Sequence, residues 1–348
     1  MPSRGASGGA KKRAGSARCP EGADRLKLVQ RRIGIVGLGE IASKAYLPIL
    51  TQRSDVELLV CSRTLSTVEK VQARYGLSRG TTEIDELLSF KPDAVFILTP
   101  SPTHFVVAQK VLDAGVDVFV EKPATMKSDE TKALAELAES RGRVLMVGFN
   151  RRFAPLHQRA HALWSGRTVG LALLEKHRSS AAHPDLFSNY IDDTIHIIDL
   201  LRFFCGEGEA VATAARVRDG RLVGAVSLVA LEKGGHGVIT TSLEAGGWSE
   251  TYSLHGEGAT LEVDAFSRLR SGGEAEERIW REPYASDWKS PLEARGFLQQ
   301  VNHFFDCLAS RQTPLTSARE AYRTQRLLED LVACAVSEAS APSRSARA

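Results

Sequence analysis

The chain has 348 residues, with 45 Lys and Arg against 42 Asp and Glu and five cysteines, Cys19, Cys61, Cys205, Cys307 and Cys334. Charge so nearly balanced leaves no footprint for nucleic acid, no stretch approaches the roughly twenty apolar residues of a membrane span, and scattered cysteines without a Cys-x-x-Cys argue against a disulfide framework or a zinc site. The expectation is a cytoplasmic globular protein of two domains, without metal.

Met1 to Pro20 carries Arg4, Lys11, Lys12, Arg13 and Arg18 and no acid, amid Gly, Ser and Ala. Such a segment buries too little apolar surface to repay its ordering entropy, so residues 1–30 read as a disordered basic tail without the apolar core of a secretory signal. The first strand follows at Ile33 to Val36 and runs into Gly37-Leu38-Gly39-Glu40-Ile41-Ala42 and a helical stretch from Ser43 to Leu50. In this Gly-x-Gly-x-x-Ala pattern Gly37 makes the tight turn, Gly39 lets backbone approach a pyrophosphate, and the helix N-terminus supplies unpaired N–H groups to it. A second strand, Val56 to Cys61, ends in Ser62-Arg63-Thr64, where an NAD-binding chain usually places an acid for the ribose hydroxyls. The guanidinium of Arg63 suits a 2'-phosphate instead, with Ser62 beside it, which puts NADP(H) ahead of NAD(H).

The next strand, Ala94 to Leu98, ends in Thr99-Pro100-Ser101-Pro102-Thr103-His104, and the apolar run Val116 to Val120 ends in Glu121-Lys122-Pro123. Ligands of a doubly wound sheet bind outside the carboxyl ends of its strands, so Lys122 is placed toward the crevice, and Pro123 biases it to an extended backbone. Val144 to Phe149 leads into Asn150-Arg151-Arg152, and Asp192, His196 and Asp199 fall at i, i+4 and i+7 on one polar face of an otherwise apolar helix. Burying Asp and His is costly unless they are paired or line a cavity, so that face is expected to look toward the cofactor. Lys176 and Arg178 alternate on one strand and share a side, which could meet an anionic or hydroxylated substrate or be a solvated sheet edge. His157, His161 and His183 show no partner pattern, and Trp164, Trp248, Trp280 and Trp288 read as packing or interface residues. Strands at Val169 to His177, Ala210 to Val217, Val223 to Leu231, Gly237 to Leu243, Thr251 to His255 and Thr260 to Val263, joined by Gly-rich turns, predict a mostly antiparallel sheet, closed by helices at Gly296 to Leu308 and Ala318 to Val336.

Through Gly148-Phe149-Asn150-Arg151-Arg152-Phe153-Ala154-Pro155, Glu175-Lys176-His177-Arg178-Ser179 and the Asp192 to His196 helix, the chain resembles the Gfo/Idh/MocA oxidoreductases, and most closely their MviM-like branch. The resemblance spans Ile33 to about Val336. It implies an α/β Rossmann dinucleotide-binding domain (31–150) and a second α+β domain on a large, mostly antiparallel sheet (151–338), before a flexible end (339–348). By the same resemblance Lys122 is the catalytic lysine, Asp192 and His196 are an Asp-x-x-x-His pair, Pro123 often follows a cis bond, and Arg151 lines the cofactor and substrate pocket. The open sheet face would join subunits into a homodimer or homotetramer. Thr194 and Ser101 depart from the glycine and asparagine frequent at these places, so substrate identity does not carry over.

The expected function is hydride transfer between nicotinamide and a hydroxyl- or carbonyl-bearing carbon of a sugar, cyclitol or related small molecule, with Lys122, His196 and Asp192 catalytic and His196 hydrogen-bonding the reacting oxygen or relaying its proton. Gly37, Leu38, Gly39, Glu40, Ile41, Ser62, Arg63, Thr99, Pro100, His104, Glu121, Lys122 and Arg151 would hold the cofactor. Lys122, Lys176, Arg178, Asp192 and His196 would hold the substrate. The alternatives are a non-catalytic NADP-binding regulator on the same fold, or a reductase of a cyclic imine or ketone.

Overall fold

The computed structural model describes residues 30–179, 183–273, 276–282 and 290–337; most of the basic tail, the C-terminal end, Cys19 and Trp288 lie outside them. The first lobe holds β1 (Arg31–Val36), β2 (Val56–Cys61), β3 (Gly80–Thr81), β4 (Ala94–Ile97), β5 (Asp117–Val120) and β6 (Leu145–Val147). They form one sheet in the order β3-β2-β1-β4-β5-β6, and every neighbouring pair is parallel. All four residues of β4 and of β5 are buried. Strands covered on both faces lose the polar alternation of a half-exposed sheet and read as continuous apolar runs, which is why both were visible in the sequence.

The second lobe holds β7 (Leu171–His177), β8 (Gly208–Arg218), β9 (Arg221–Leu231), β10 (His236–Ser242), β11 (Ser249–Gly256), β12 (Ala259–Asp264), β13 (Arg268–Gly273), β14 (Glu277–Arg281) and β15 (Ala335–Ser337). Their order is β14-β13-β12-β11-β7-β10-β9-β8-β15. Burial alternates along β7, β10 and β11, so one face is covered and the other is not. The cover includes the helix Ile195–Cys205, all of whose residues are buried and whose Leu201 seats over Gly237.

Several expectations need correction. β7 lies between β11 and β10 at the middle of its sheet, and it pairs with β10 in parallel, as β15 does with β8. Lys176 and Arg178 therefore do not belong to a solvated edge. β13, β14 and β15 carry little apolar periodicity and were not foreseen; the last helix stops at Ala333 and its expected final turn is strand. The helix after the glycine turn includes a π-helical turn, Ala42–Tyr46, before Leu47–Leu50.

The two lobes share their core. Phe304, on the helix Phe297–Ser310, packs edge-on against Phe96 of β4 and Phe119 of β5. Arg311 donates to both carboxylate oxygens of Asp117, and Gln325 of the final helix accepts from Thr131 and donates to the Thr125 carbonyl. Chain from the C-terminal end thus buttresses the strands that present the site.

Candidate active site

A cleft of about 760 Å³ opens at the carboxyl ends of β1, β2 and β4, lined among others by Gly37, Leu38, Gly39, Glu40, Ser62, Arg63, Thr99 and Pro100. Gly37 has φ +95°, and a Cβ there would stand 2.6 Å from the Leu98 carbonyl carbon and the Thr99 nitrogen. Only glycine fits that turn. A Cβ on Gly39 would meet nothing within 4 Å, so the backbone there is open to a ligand, at the start of a helix whose first N–H groups lack intrahelical acceptors. These residues fit a dinucleotide. Arg63 is exposed and has no ion-pair partner among the described residues. Thr82, Glu83, Asp85, Thr103 and Lys110 line the same cleft and were missed; Glu83 lies near enough to Cys61 to help burial push that thiol up to about 11.

Ile41, His104, Glu121, Lys122 and Arg151, also expected on the cofactor, do not line this cleft. His104 is buried, its Nδ1 is 2.7 Å from the Pro123 carbonyl and its Nε2 is 2.8 Å from that of Thr99, so it ties the loop after β4 to the loop after β5. Glu121 is buried too, accepting from the Tyr46 hydroxyl and, at 2.8 Å, from the Lys122 N–H. It fixes the backbone that carries Lys122. The Lys122–Pro123 bond is cis.

From the end of β5, Lys122 Nζ donates to the Asp192 carbonyl at 2.5 Å and reaches Asp192 Oδ1 at 3.4 Å. The other carboxylate oxygen lies 3.9 Å from Nε2 of His183, a residue that sequence reasoning left without a partner. Asp192 stands in a π-helical turn, Tyr190–Thr194, that precedes Ile195–Cys205. Side chains across such a turn do not follow 3.6-residue spacing, which is why the expected Asp192, His196 and Asp199 face does not act as one unit. Asp199 is buried away from Lys122, accepting from Arg152 at 2.7 and 2.8 Å and from Thr324 at 2.9 Å.

His196 is buried edge-on to Phe149, and its Nδ1 has no hydrogen-bond partner among the described residues. Burial, then the charges of Arg151, Lys176, Lys122 and Arg178, push its pKa well below the ordinary 6.5. It is neutral at physiological pH, and of the two roles expected for it a neutral ring suits a hydrogen bond to the substrate oxygen better than a proton relay.

Beside it lies a buried ionic cluster. Arg151 grips Glu250 through Nε and Nη2 at 2.5 and 2.7 Å, and the Tyr252 hydroxyl donates to the same carboxylate. Lys176 lies 2.9 Å from Asp193 Oδ1 and donates to the Asp193 carbonyl at 3.1 Å, while Arg178 takes both oxygens of Asp193 at 2.5 and 2.7 Å. Despite burial, Arg151 and then Lys176 hold the Glu250 carboxyl down at about 2, against an ordinary 4.5. A depressed carboxyl contributes stability that is complete above its unfolded value and is lost as pH falls toward the folded one. Burial lowers the pKa values of His104, His157 and His196 from an ordinary 6.5, and these groups act in the same sense from that higher starting point. Thermal melts across pH are expected to show stability falling from about pH 6.5 downward, before Glu250 titrates; a Tm constant from pH 7 to pH 5 would contradict this.

Residues 31–149 match the model of a family described as oxidoreductases with an NAD-binding Rossmann fold. YceM of Salmonella typhimurium, whose name gives it only as an oxidoreductase, is 33% identical over 315 residues, 88% of this chain and 99% of that protein. The chain belongs to the Gfo/Idh/MocA family. As a member it is an oxidoreductase with an NAD(P)-binding Rossmann lobe. The MviM dehydrogenase of Clostridium difficile superposes with a TM-score of 0.80 at 26% identity, over 87% of this chain and 99% of that one. The scyllo-inositol 2-dehydrogenase (NAD(+)) of Bacillus subtilis is 30% identical, but over only 51% of this chain and 54% of its own length. Among the described residues no helix is long and apolar enough to cross a membrane, and no cluster of three or more His, Cys, Asp or Glu could hold a metal.

Proposed function

We propose that the protein is an NADP(H)-dependent oxidoreductase acting on a hydroxyl- or carbonyl-bearing carbon of a sugar, cyclitol or related polyol. The observation that carries this reading is the convergence at the end of β5, where Lys122 reaches toward Asp192 near a neutral His196 whose Nδ1 has no partner among the described residues. When bound, the nicotinamide supplies or accepts the hydride at its C4. Lys122 donates a proton to the forming alkoxide, or accepts it in reverse. His196 bonds the same oxygen without carrying charge. Asp192, whose side chain is 66% exposed, orients Lys122 and takes a substrate hydroxyl. The polyol class is supported by the inositol dehydrogenase relative. Exposed Val211, Val217 and Val226 on β8 and β9 support subunit contact through that sheet. A spectrophotometric screen of NADPH oxidation and NADP+ reduction over sugars, cyclitols, ketones and cyclic imines tests the reading.

NADP preference rests on Arg63, a guanidinium without an ion-pair partner among the described residues, in the cleft where β2 ends without an acid. A charged hydrogen bond contributes about 1.5 to 3 kcal/mol, so Arg63→Ala should raise the KM for NADPH by at least about tenfold and leave that for NADH nearly unchanged. An equal or lower KM for NADH in the unaltered protein sinks this assignment.

For His196→Ala, we expect kcat/KM to fall by about 10²-fold with NADPH affinity unchanged. If the ring served only packing, Tm would drop while the folded fraction kept its kcat. Measuring both on one preparation separates the outcomes.

A further inference from the structure

We propose that Tyr46 and Gln300 are positioning residues for Lys122 and act on it through Glu121. This rests on the oxidoreductase reading, in which Lys122 moves the proton, and assigns its placement to side chains from two other segments.

The pairing of β4 with β5 ends where the Glu121 N–H donates to the Ile97 carbonyl at 3.0 Å. The next N–H, that of Lys122, turns instead to Oε2 of the Glu121 side chain at 2.8 Å. The peptide that aims the lysine is therefore only as fixed as that carboxylate. Glu121 Oε1 in turn accepts from the Tyr46 hydroxyl, and the Tyr46 oxygen accepts from Gln300 Nε2 at 2.9 Å. A hydroxyl has one proton, and with it committed to Glu121 the Tyr46 oxygen needs a donor, which Gln300 supplies. Bonds that run in one direction polarise one another, so the series holds the carboxylate more firmly than separate contacts would.

Packing fixes each link. Tyr46 and Gln300 are fully buried, and the Tyr46 ring lies 5.4 to 6.0 Å from those of Phe119, Phe297 and Phe96. A Cβ on Gly148, just after β6, would stand 3.0 Å from Glu121 Cδ and Oε1, so the carboxylate is closely walled there. Tyr46 closes the π-helical turn that follows the glycine turn, and Gln300 lies on the helix Phe297–Ser310. One series of bonds thus ties the cofactor turn, the strand end that carries the lysine and the C-terminal part of the chain. Misplacing a reacting group by about 1 Å can cost 10²-fold in rate, so a loosened Glu121 is felt in kcat.

Amide hydrogen exchange and turnover of Tyr46→Phe and Gln300→Met, beside Lys122→Ala, test the proposal on the full chain. Gln300→Met loses one hydrogen bond but also an Oε1 that is buried without a partner among the described residues, so its Tm should stay within about 3 °C. In both variants the Lys122 N–H should exchange at least about tenfold faster while those of Val118 and Val147 keep their protection. Turnover is measured with NADP+ and NAD+ on myo-inositol and D-glucose, then on whichever substrate the screen finds. It should fall about tenfold in Tyr46→Phe and less in Gln300→Met, with cofactor Kd unchanged. The double variant should be little worse than Tyr46→Phe, because the two act in series. Unchanged exchange at Lys122, exchange that rises throughout the first lobe in Gln300→Met, or a cofactor Kd that weakens in step with kcat overturns the proposal. So does full kcat in a variant whose Lys122 N–H is loosened. Exchange needs no substrate, so it decides the hold on the lysine whatever the screen finds. A Lys122→Ala protein that keeps its activity strikes the reading beneath, whereas an inactive Lys122→Ala beside a fully active Tyr46→Phe defeats this inference alone.

Discussion

Lys122→Ala is expected to lower turnover by about 10²- to 10⁴-fold while NADPH binds nearly as before, the range expected when a positioned acid or base is removed. The separation follows from the architecture. The cleft that fits the dinucleotide is built by the turns after β1, β2 and β4, whereas Lys122 leaves the end of β5 and reaches away from those turns to Asp192. Its backbone is held by Glu121 and, through Pro123, by His104, neither of which the substitution touches. Cofactor affinity from fluorescence titration and turnover in the same buffer decide the matter. Activity within a few-fold of the unaltered protein would remove Lys122 from the chemistry.

Glu250→Ala should be the most destabilising single change in the second lobe. It leaves the Arg151 and Lys176 charges buried with one carboxylate between them and takes the acceptor from the Tyr252 hydroxyl. Breaking a buried pair from one side costs about 3 to 5 kcal/mol, because the surviving charge stays desolvated. Tm should fall by roughly 5 to 15 °C. Glu250→Gln keeps the volume and an oxygen for Tyr252, so its loss should be smaller, and adding Arg151→Met to Glu250→Ala should recover part of it. A Tm within a degree of the unaltered protein would show that the cluster hydrates easily and that its charge balance is not what holds the lobe.

The residues that could be read directly are those whose signal is local. Gly37 declares itself because a tight turn against the end of β4 admits no Cβ, and Lys122 because an apolar run must end at the open end of its strand. Both fall within a few residues of the pattern that reveals them, as do the buried strands of the first lobe and the alternation along β7, β10 and β11. His196 was found by spacing, but its charge state was not, since that depends first on burial and then on four cations drawn from distant segments.

By itself, then, the sequence determined the two-lobed plan, the glycine turn and the lysine at the end of β5, because strand periodicity and turn sterics act between near neighbours along the chain. Tertiary structure alone decided that β7 is central, that Glu250 answers Arg151 across 99 positions, that Asp199 belongs to Arg152 and that Asp192 turns to Lys122 and His183. A buried charge takes whichever opposite charge the fold brings within a few ångströms, and sequence distance has no part in Coulomb's law.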